Sequence, residues 1–309
     1  MPVPPETAPT CADLSPILVT GATTGTGRRL VAALLERGAR VRCLVHTPAH
    51  RDRLPDHANL EIVLGSAADA ADLRPALEGV RTLIHLAGHR LVPALFDFLE
   101  HDESQKTHPS PLRFLFQSST RLLSQYPTPT RESVRRAEER IQAAPPERIA
   151  WTILRPAMIY GGHDRNFEVY LSTLRRWPLF PIFGSGDCLR QPLFVEDLVT
   201  SHLLALEHPV SIGRAYTLAG PEPVRFRAMI EAIARAAGLR PPRFLKFPYA
   251  PCLTVAKGLR KVWPGSPVNP EVIERFGEDM VFDIAPAQRD LGFTPTPLEK
   301  ALEIRFSRP

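Results

Sequence analysis

Long apolar runs are what this chain most plainly lacks. No stretch of about 18 consecutive apolar residues occurs, so no membrane-crossing helix is expected. Metal-type cysteine patterns are missing too: Cys11, Cys43, Cys188 and Cys252 stand apart without a C-x-x-C pair, which predicts reduced thiols, a cytoplasmic setting and no metal. The opening MPVPPETAPTCADLSP has neither the basic start nor the apolar centre of a secretion signal, and none is expected. The formal charge of +5 comes mostly from arginine interleaved with acids rather than gathered into a basic arm, so nucleic acid is not an expected partner. No repeat or low-complexity tract stands out.

What is present is alternation. The runs "ILV", "VRCLV", "LEIVL", "TLIHLA", "RFLFQ" and "WTIL" read as strands, and "RRLVAALLERG", "ADLRPALEG", "ALFDFLEHD" and "RESVRRAEERIQAA" as the helices between them. Strands apolar on both sides predict a parallel, doubly wound α/β sheet covered by helices, with ligand at the strands' carboxyl ends. Residues 15–160 form the expected nucleotide-binding domain, with 192–220 ("PLFVEDLVTSHLLALEH…GRAYTLAG") returning to it. The proline-punctuated remainder of 161–309 is expected to form mainly a smaller C-terminal substrate lobe. Within it, "LTVAKGLRKVW" is expected to pack its apolar face on the lobe, so membrane contact is not expected.

The stretch "LVTGATTGTGRRLV" joins the first strand to the first helix, with glycines at Gly21, Gly25 and Gly27. Glycine lets a backbone approach a pyrophosphate, and a helix amino terminus supplies free N–H groups and positive potential, so a dinucleotide loop is expected here. Thr20, Thr23, Thr24 and Thr26 add hydroxyls that either reach the ligand or satisfy their own turn. Where a carboxylate would select NAD by holding the ribose 2′-OH, the second strand is followed by His46. Arg42, Arg51 and Arg53 lie nearby, either pairing with a 2′-phosphate or simply solvated, which leaves NAD or NADP open with a lean to NADP. After the third strand, Asp69 reads as an adenine contact or as a helix cap.

Five separated motifs, "TGATTGTG", "GVRTLIHLAG", "FLFQSST", "WTILRPAMIYGG" and "LRQPLFVEDL", resemble the extended branch of the short-chain dehydrogenase/reductase superfamily, the NAD-dependent epimerase/dehydratase family. The resemblance implies a Rossmann-type fold, a cofactor pocket that also takes in Leu86, Ala87, Gly88 and Pro156, and a small-molecule substrate such as a nucleotide sugar. It implies Ser119 or Thr120 as the active-site hydroxyl, and Arg190 as a phosphate contact unless it pairs with Glu196 or Asp197 nearby. Thr24 departs from the extended branch, which has glycine there; the spacing T-G-x-x-x-G-x-G is similar to that of the compact members.

The larger departure is chemical. The superfamily's Y-x-x-x-K dyad occurs nowhere. Aligned on Glu139, the helix "RESVRRAEE" carries Arg131 and Arg135 at the dyad positions, and guanidinium stays protonated at any working pH. Arg135 either holds a ribose or phosphate or belongs to an exposed helix face laced by pairs such as Glu132 with Arg136, while Tyr126 and His89, the latter otherwise a surface residue, are the available acid/base replacements. Two classes of function follow: an NAD(P)-dependent epimerase, dehydratase or reductase with a non-standard acid/base, or a non-catalytic cofactor-binding sensor or assembly protein.

Overall fold

A computed structural model describes residues 9–101, 110–162, 165–263 and 269–307, apart from the side chains of residues 165 and 166. Part of "VWPGSPVNPE" and the first eight residues fall outside that set. The first half alternates as expected: β1 (Ile17–Thr20), α1 (Gly25–Glu36), β2 (Val41–Val45), β3 (Leu60–Leu64), α2 (Ala70–Leu77), β4 (Thr82–His85), α3 (Val92–His101), β5 (Leu112–Gln117), α4 (Pro129–Gln142) and β6 (Ile149–Pro156). The second half contains β7 (Ile159–Tyr160), α5 (Arg165–Arg176), β8 (Leu179–Phe183), β9 (Leu189–Arg190), β10 (Leu193–Phe194), α6 (Val195–Glu207), β11 (Arg214–Leu218), β12 (Val224–Arg225) and α7 (Phe226–Ala236). It ends with β13 (Arg243–Phe247), α8 (Tyr249–Val262), α9 (Pro270–Glu274), α10 (Ala285–Leu291) and α11 (Leu298–Ser307).

Seven strands form one parallel sheet in the order β11-β6-β5-β4-β1-β2-β3. Its central strands β1 and β4 are buried at every residue, because helices cover both faces. One face buries Leu30, Val31 and Leu34 of α1 with Leu198 and Leu203 of α6; the other buries Leu95 and Phe96 of α3 with Ala137 and Ile141 of α4. Strand order reverses between β1 and β4, so a crevice opens at their carboxyl ends. A third apolar cluster, around Phe180, Phe226, Ile230 and Leu302, belongs to the C-terminal lobe. None of the described helices is long and apolar enough to cross a membrane.

Candidate cofactor and ligand site

The turn after β1 is built by two glycines that have no room for a side chain. Gly21 has φ +74°, and a Cβ there would lie 2.7 Å from Ala87 N; a Cβ on Gly27 would strike Gly21 O and come within 2.8 Å of Ala22 C. Thr24, in place of the extended branch's glycine, caps α1: its hydroxyl accepts from Gly27 N at 3.0 Å and donates to Gly21 O at 2.9 Å. The N–H groups of Gly25 and Thr26 have no protein acceptor among the described residues. Two free N–H groups at the start of a twelve-residue helix fit a pyrophosphate oxygen. Thr20 is committed differently, with its hydroxyl 2.8 Å from His85 Nδ1, while His85 Nε2 lies 3.1 Å from Gly88 O. Since a carbonyl only accepts, Nε2 carries the hydrogen and Nδ1 accepts from Thr20. Full burial pushes His85 down to about 4, so this link between the β1 and β4 loops is neutral.

Along the crevice, His46 is exposed after β2, and Arg51 and Arg53 are exposed in the 3-10 turn Pro48–Arg53. Arg42 is spent elsewhere: it pairs with Glu61 at 2.7 Å and donates to the carbonyls of Pro75, Ala76 and Glu78. Asp69 caps α2, its Oδ1 accepting from Ala71 N at 2.9 Å.

Helix α4 faces the sheet in a register one residue away from the alignment on Glu139. Its buried side is Val134, Ala137, Glu138 and Ile141. Glu138 accepts from Ser118 Oγ at 2.5 Å and from Arg155 Nη2 at 2.5 Å. Glu139 lies on the outside, ion-paired with Arg135, which also holds Glu132 at 2.7 Å. Arg135 is thus turned away from the ribose or phosphate it was expected to hold, and Arg131 donates to Leu122 O at 3.2 Å. Counting back four and eight from the buried glutamate, the inward positions are Val134 and Thr130. Thr130 donates to Glu271, 3.2 Å away, and neither a threonine nor a valine side chain exchanges a proton near neutrality.

At the ends of β5 and β6 lies a cavity of about 310 Å³, which no residue of α4 lines. It brings together Ser119, Thr120, Pro156 and Arg190 from the sequence-derived set. Ser119 Oγ accepts from Arg121 N at 3.2 Å, which leaves its own hydrogen for a ligand, whereas Thr120 donates to Pro156 O at 3.2 Å. Tyr126 and His89 are not among the residues lining the cavity. Tyr126 shares a hydrogen bond of 2.9 Å with Tyr249, and His89 sits in the 3-10 turn packed on α4 with Nε2 buried and without a partner among the described residues. Burial, then the Arg90 charge, hold His89 below the usual histidine range.

Arg190 is neither a pair for Glu196 nor for Asp197. It is buried and donates to Leu189 O at 2.6 Å, to Glu278 O at 3.0 Å and to Arg275 O, fastening the 275–278 turn. Glu196 instead pairs with Arg29 at 3.2 Å, and Asp197 accepts from Thr296 N at 2.7 Å. The cavity's remaining cations, Arg121 and Arg275, were not singled out in the sequence: Arg121 directly follows the FLFQSST motif without belonging to it, and Arg275 lies far from every motif. Burial, then the Arg121 charge, push Arg275 down to about 10, and its buried Nε has no partner among the described residues. The opposite wall is apolar: Met158, Tyr170, Phe226, Phe276, Met280 and Phe282.

The comparisons agree with this geometry. A family model described as NAD(P)H-binding matches residues 21–174. Over 312 residues the chain is 26% identical to the mouse mitochondrial NADH dehydrogenase (ubiquinone) 1 alpha subcomplex subunit 9, covering 93% of this chain and 78% of that protein. It is 24% identical to a 3 beta-hydroxysteroid dehydrogenase/Delta 5-->4-isomerase of Mycobacterium tuberculosis, covering 92% and 87% respectively. The fold superposes on UDP-glucuronic acid 4-epimerase from Bacillus cereus, solved with UDP-glucuronic acid and NAD, with a TM-score of 0.70 at 19% identity over 94% of this chain and 98% of that one. Sheet order, phosphate loop and these relatives converge: the chain carries an NAD(P)H-binding, Rossmann-type domain and is similar in fold to the extended, epimerase/dehydratase-like members of the short-chain dehydrogenase/reductase superfamily.

Proposed function

We propose that the chain binds NAD(P) and holds beside it a largely apolar small molecule with a polar or anionic end, without the acid/base catalysis usual in the superfamily. The observation that carries this reading is the inward face of α4, where Thr130 and Val134 leave no group to exchange a proton and Glu138 is consumed by Arg155 and Ser118. The apolar cavity wall supports the ligand class, and Arg121 and Arg275 support an anionic end. Gly21, Gly25, Gly27, Thr24 and the Leu86–Gly88 turn are the residues assigned to the cofactor. A cytoplasmic, sensing or assembly role goes with this reading.

The second reading is a slow reductase or epimerase, on a nucleotide sugar or another carbonyl compound, and the Ser119 hydroxyl in the cavity favours it. One assay separates the two. NADH and NADPH are titrated by nicotinamide fluorescence, and turnover is then measured on a panel of nucleotide sugars, hydroxysteroids and alkyl ketones, with Ser119→Ala alongside. Cofactor binding with no turnover on any compound supports the binding reading. Turnover lost in Ser119→Ala establishes the enzyme, and a folded protein that binds neither cofactor sinks both.

A further inference from the structure

Helix α8 was expected to pack its apolar face on the lobe; it packs on α9 with Leu253, Ala256 and Leu259 buried or half-buried, but a second apolar side is left exposed. Only Ala256 of its fourteen residues is buried. Helical spacing sets Pro251, Val255, Gly258 and Val262 in one outward stripe. Val255 and Val262 are 69% and 87% exposed, and Trp263 follows them at 56%. β13 runs into this helix through Pro248, and its outer side is apolar as well. The parallel pairing of β8 with β13 matches Leu179 to Arg243 and Pro181 to Leu245, so Leu179, Leu245 and Phe247 stand on one side of the ribbon, all exposed. Trp177, just before β8, is 62% exposed.

The same segments are free of acids. Between Glu168 and Asp187 the only charges are Arg175 and Arg176. Between Glu231 and Glu271 there are seven basic residues and no acidic one. Of the seven, Lys257 is engaged by Glu274 of α9 at 2.9 Å, and Arg260 is engaged as well. Acids and bases that interleave along the chain as a whole are therefore segregated here, and exposed aromatic and aliphatic groups are mixed with the bases. α8 also packs on α9, whose Val272 lines the ligand cavity.

We propose that this face of the lobe docks on an anionic lipid surface. Trp177 and Trp263 sit at headgroup depth, the Val255–Val262 stripe enters the acyl boundary, and the lysines and arginines meet lipid phosphates. A second copy of the chain is a poorer occupant, since two such faces brought together set like charge against like charge. Docking here places the cavity's apolar wall close to a reservoir of apolar ligand.

Co-sedimentation of the full chain with vesicles tests the surface independently of cofactor binding. Phosphatidylcholine vesicles are compared with equimolar phosphatidylcholine and phosphatidylglycerol, with tryptophan emission recorded. Binding to the anionic vesicles alone, weakened by salt and accompanied by a blue shift, is the expected result. The double change Arg176→Glu/Lys261→Glu should lower that affinity more than about tenfold. Val262→Ser/Trp263→Ser should lower it and reduce the blue shift, with the circular dichroism melt unchanged in both variants. Failure to bind anionic vesicles, equal binding to both compositions, or binding untouched by both variants overturns the proposal. So does a dimer on size exclusion that Val262→Ser/Trp263→Ser abolishes while vesicle binding is absent, an outcome that assigns the face to a second copy.

Discussion

Glu138 and Arg155 meet across the interface of α4 with β6, Nη2 to Oε2 at 2.5 Å, with side chains only 3% and 18% exposed. That pairing fixes which face of α4 looks at the sheet, and so which residues stand where a tyrosine and lysine would act. Removing one partner of a buried pair leaves the other charge without compensation, here together with the Ser118 hydroxyl. Glu138→Ala should cost about 3 kcal/mol, while Glu139→Ala on the exposed face should stay within about 0.5 kcal/mol. Urea unfolding of the two variants checks this. Equal costs would mean that the helix sits in the other register.

The glycines of the phosphate loop divide into a packing pair and a binding one. Gly21 and Gly27 have no space for a Cβ, whereas Gly25 opens the helix with its N–H free. Gly21→Ala should destabilise the fold by on the order of 2 kcal/mol, because a positive φ and an overlap with Ala87 N act together. Gly25→Val should stay folded and lose NAD(P)H affinity by at least about tenfold through obstructed backbone approach. Thermal melts together with fluorescence titration distinguish the two effects. Undiminished affinity in a folded Gly25→Val protein would refute the assignment.

Cofactor choice turns on the end of β2, where His46 replaces an acid and Arg51 and Arg53 remain exposed. NADPH should bind at least as tightly as NADH, and Arg51→Ala/Arg53→Ala should cut the NADPH advantage, as added salt should. Arg135→Ala should change neither affinity by more than about twofold, since Arg135 is held outward by Glu132 and Glu139. A clear NADH preference in the parent would count against the 2′-phosphate site.

Much of the fold was legible because its signals are local. Continuous apolar runs such as "TLIHLA" marked strands covered on both faces, and "TGATTGTG" marked the turn at the switch point, since a tight approach of backbones demands glycine in any sequence context. The cavity was half legible: Ser119, Thr120 and Pro156 end strands that the alternation already located. Arg121 and Arg275 were not, because they converge only through the lobe's tertiary path and carry no spacing of their own. The register of α4 failed for a related reason. Glu138 and Glu139 are adjacent and chemically identical, and only Arg155, seventeen residues away, chooses between them. The exposure of α8 escaped as well, since an amphipathic pattern shows that a helix has an apolar side and not what covers it.

Two buried histidines give the chain an acid limb that can be assigned. Burial pushes both His85 and His202 from 6.5 to about 4. The folded state resists a proton that the unfolded chain takes up freely, so unfolding binds protons between those two values. The stability that depends on a neutral ring is therefore complete above pH 6.5 and declines as pH falls toward 4, by on the order of 3 kcal/mol for each histidine. His202 is the cleaner probe: its Nδ1 donates to Leu198 O within α6 and its buried Nε2 has no partner among the described residues. His85 also ties the cofactor loops together through Thr20 and Gly88. His202→Leu removes the titrating group, keeps the volume apolar and orphans no side-chain partner. Urea midpoints at pH 7 and pH 4.5 should show the variant losing about 2 kcal/mol less than the parent on acidification. An identical loss in both proteins would mean that His202 is not neutral in the fold or not excluded from water.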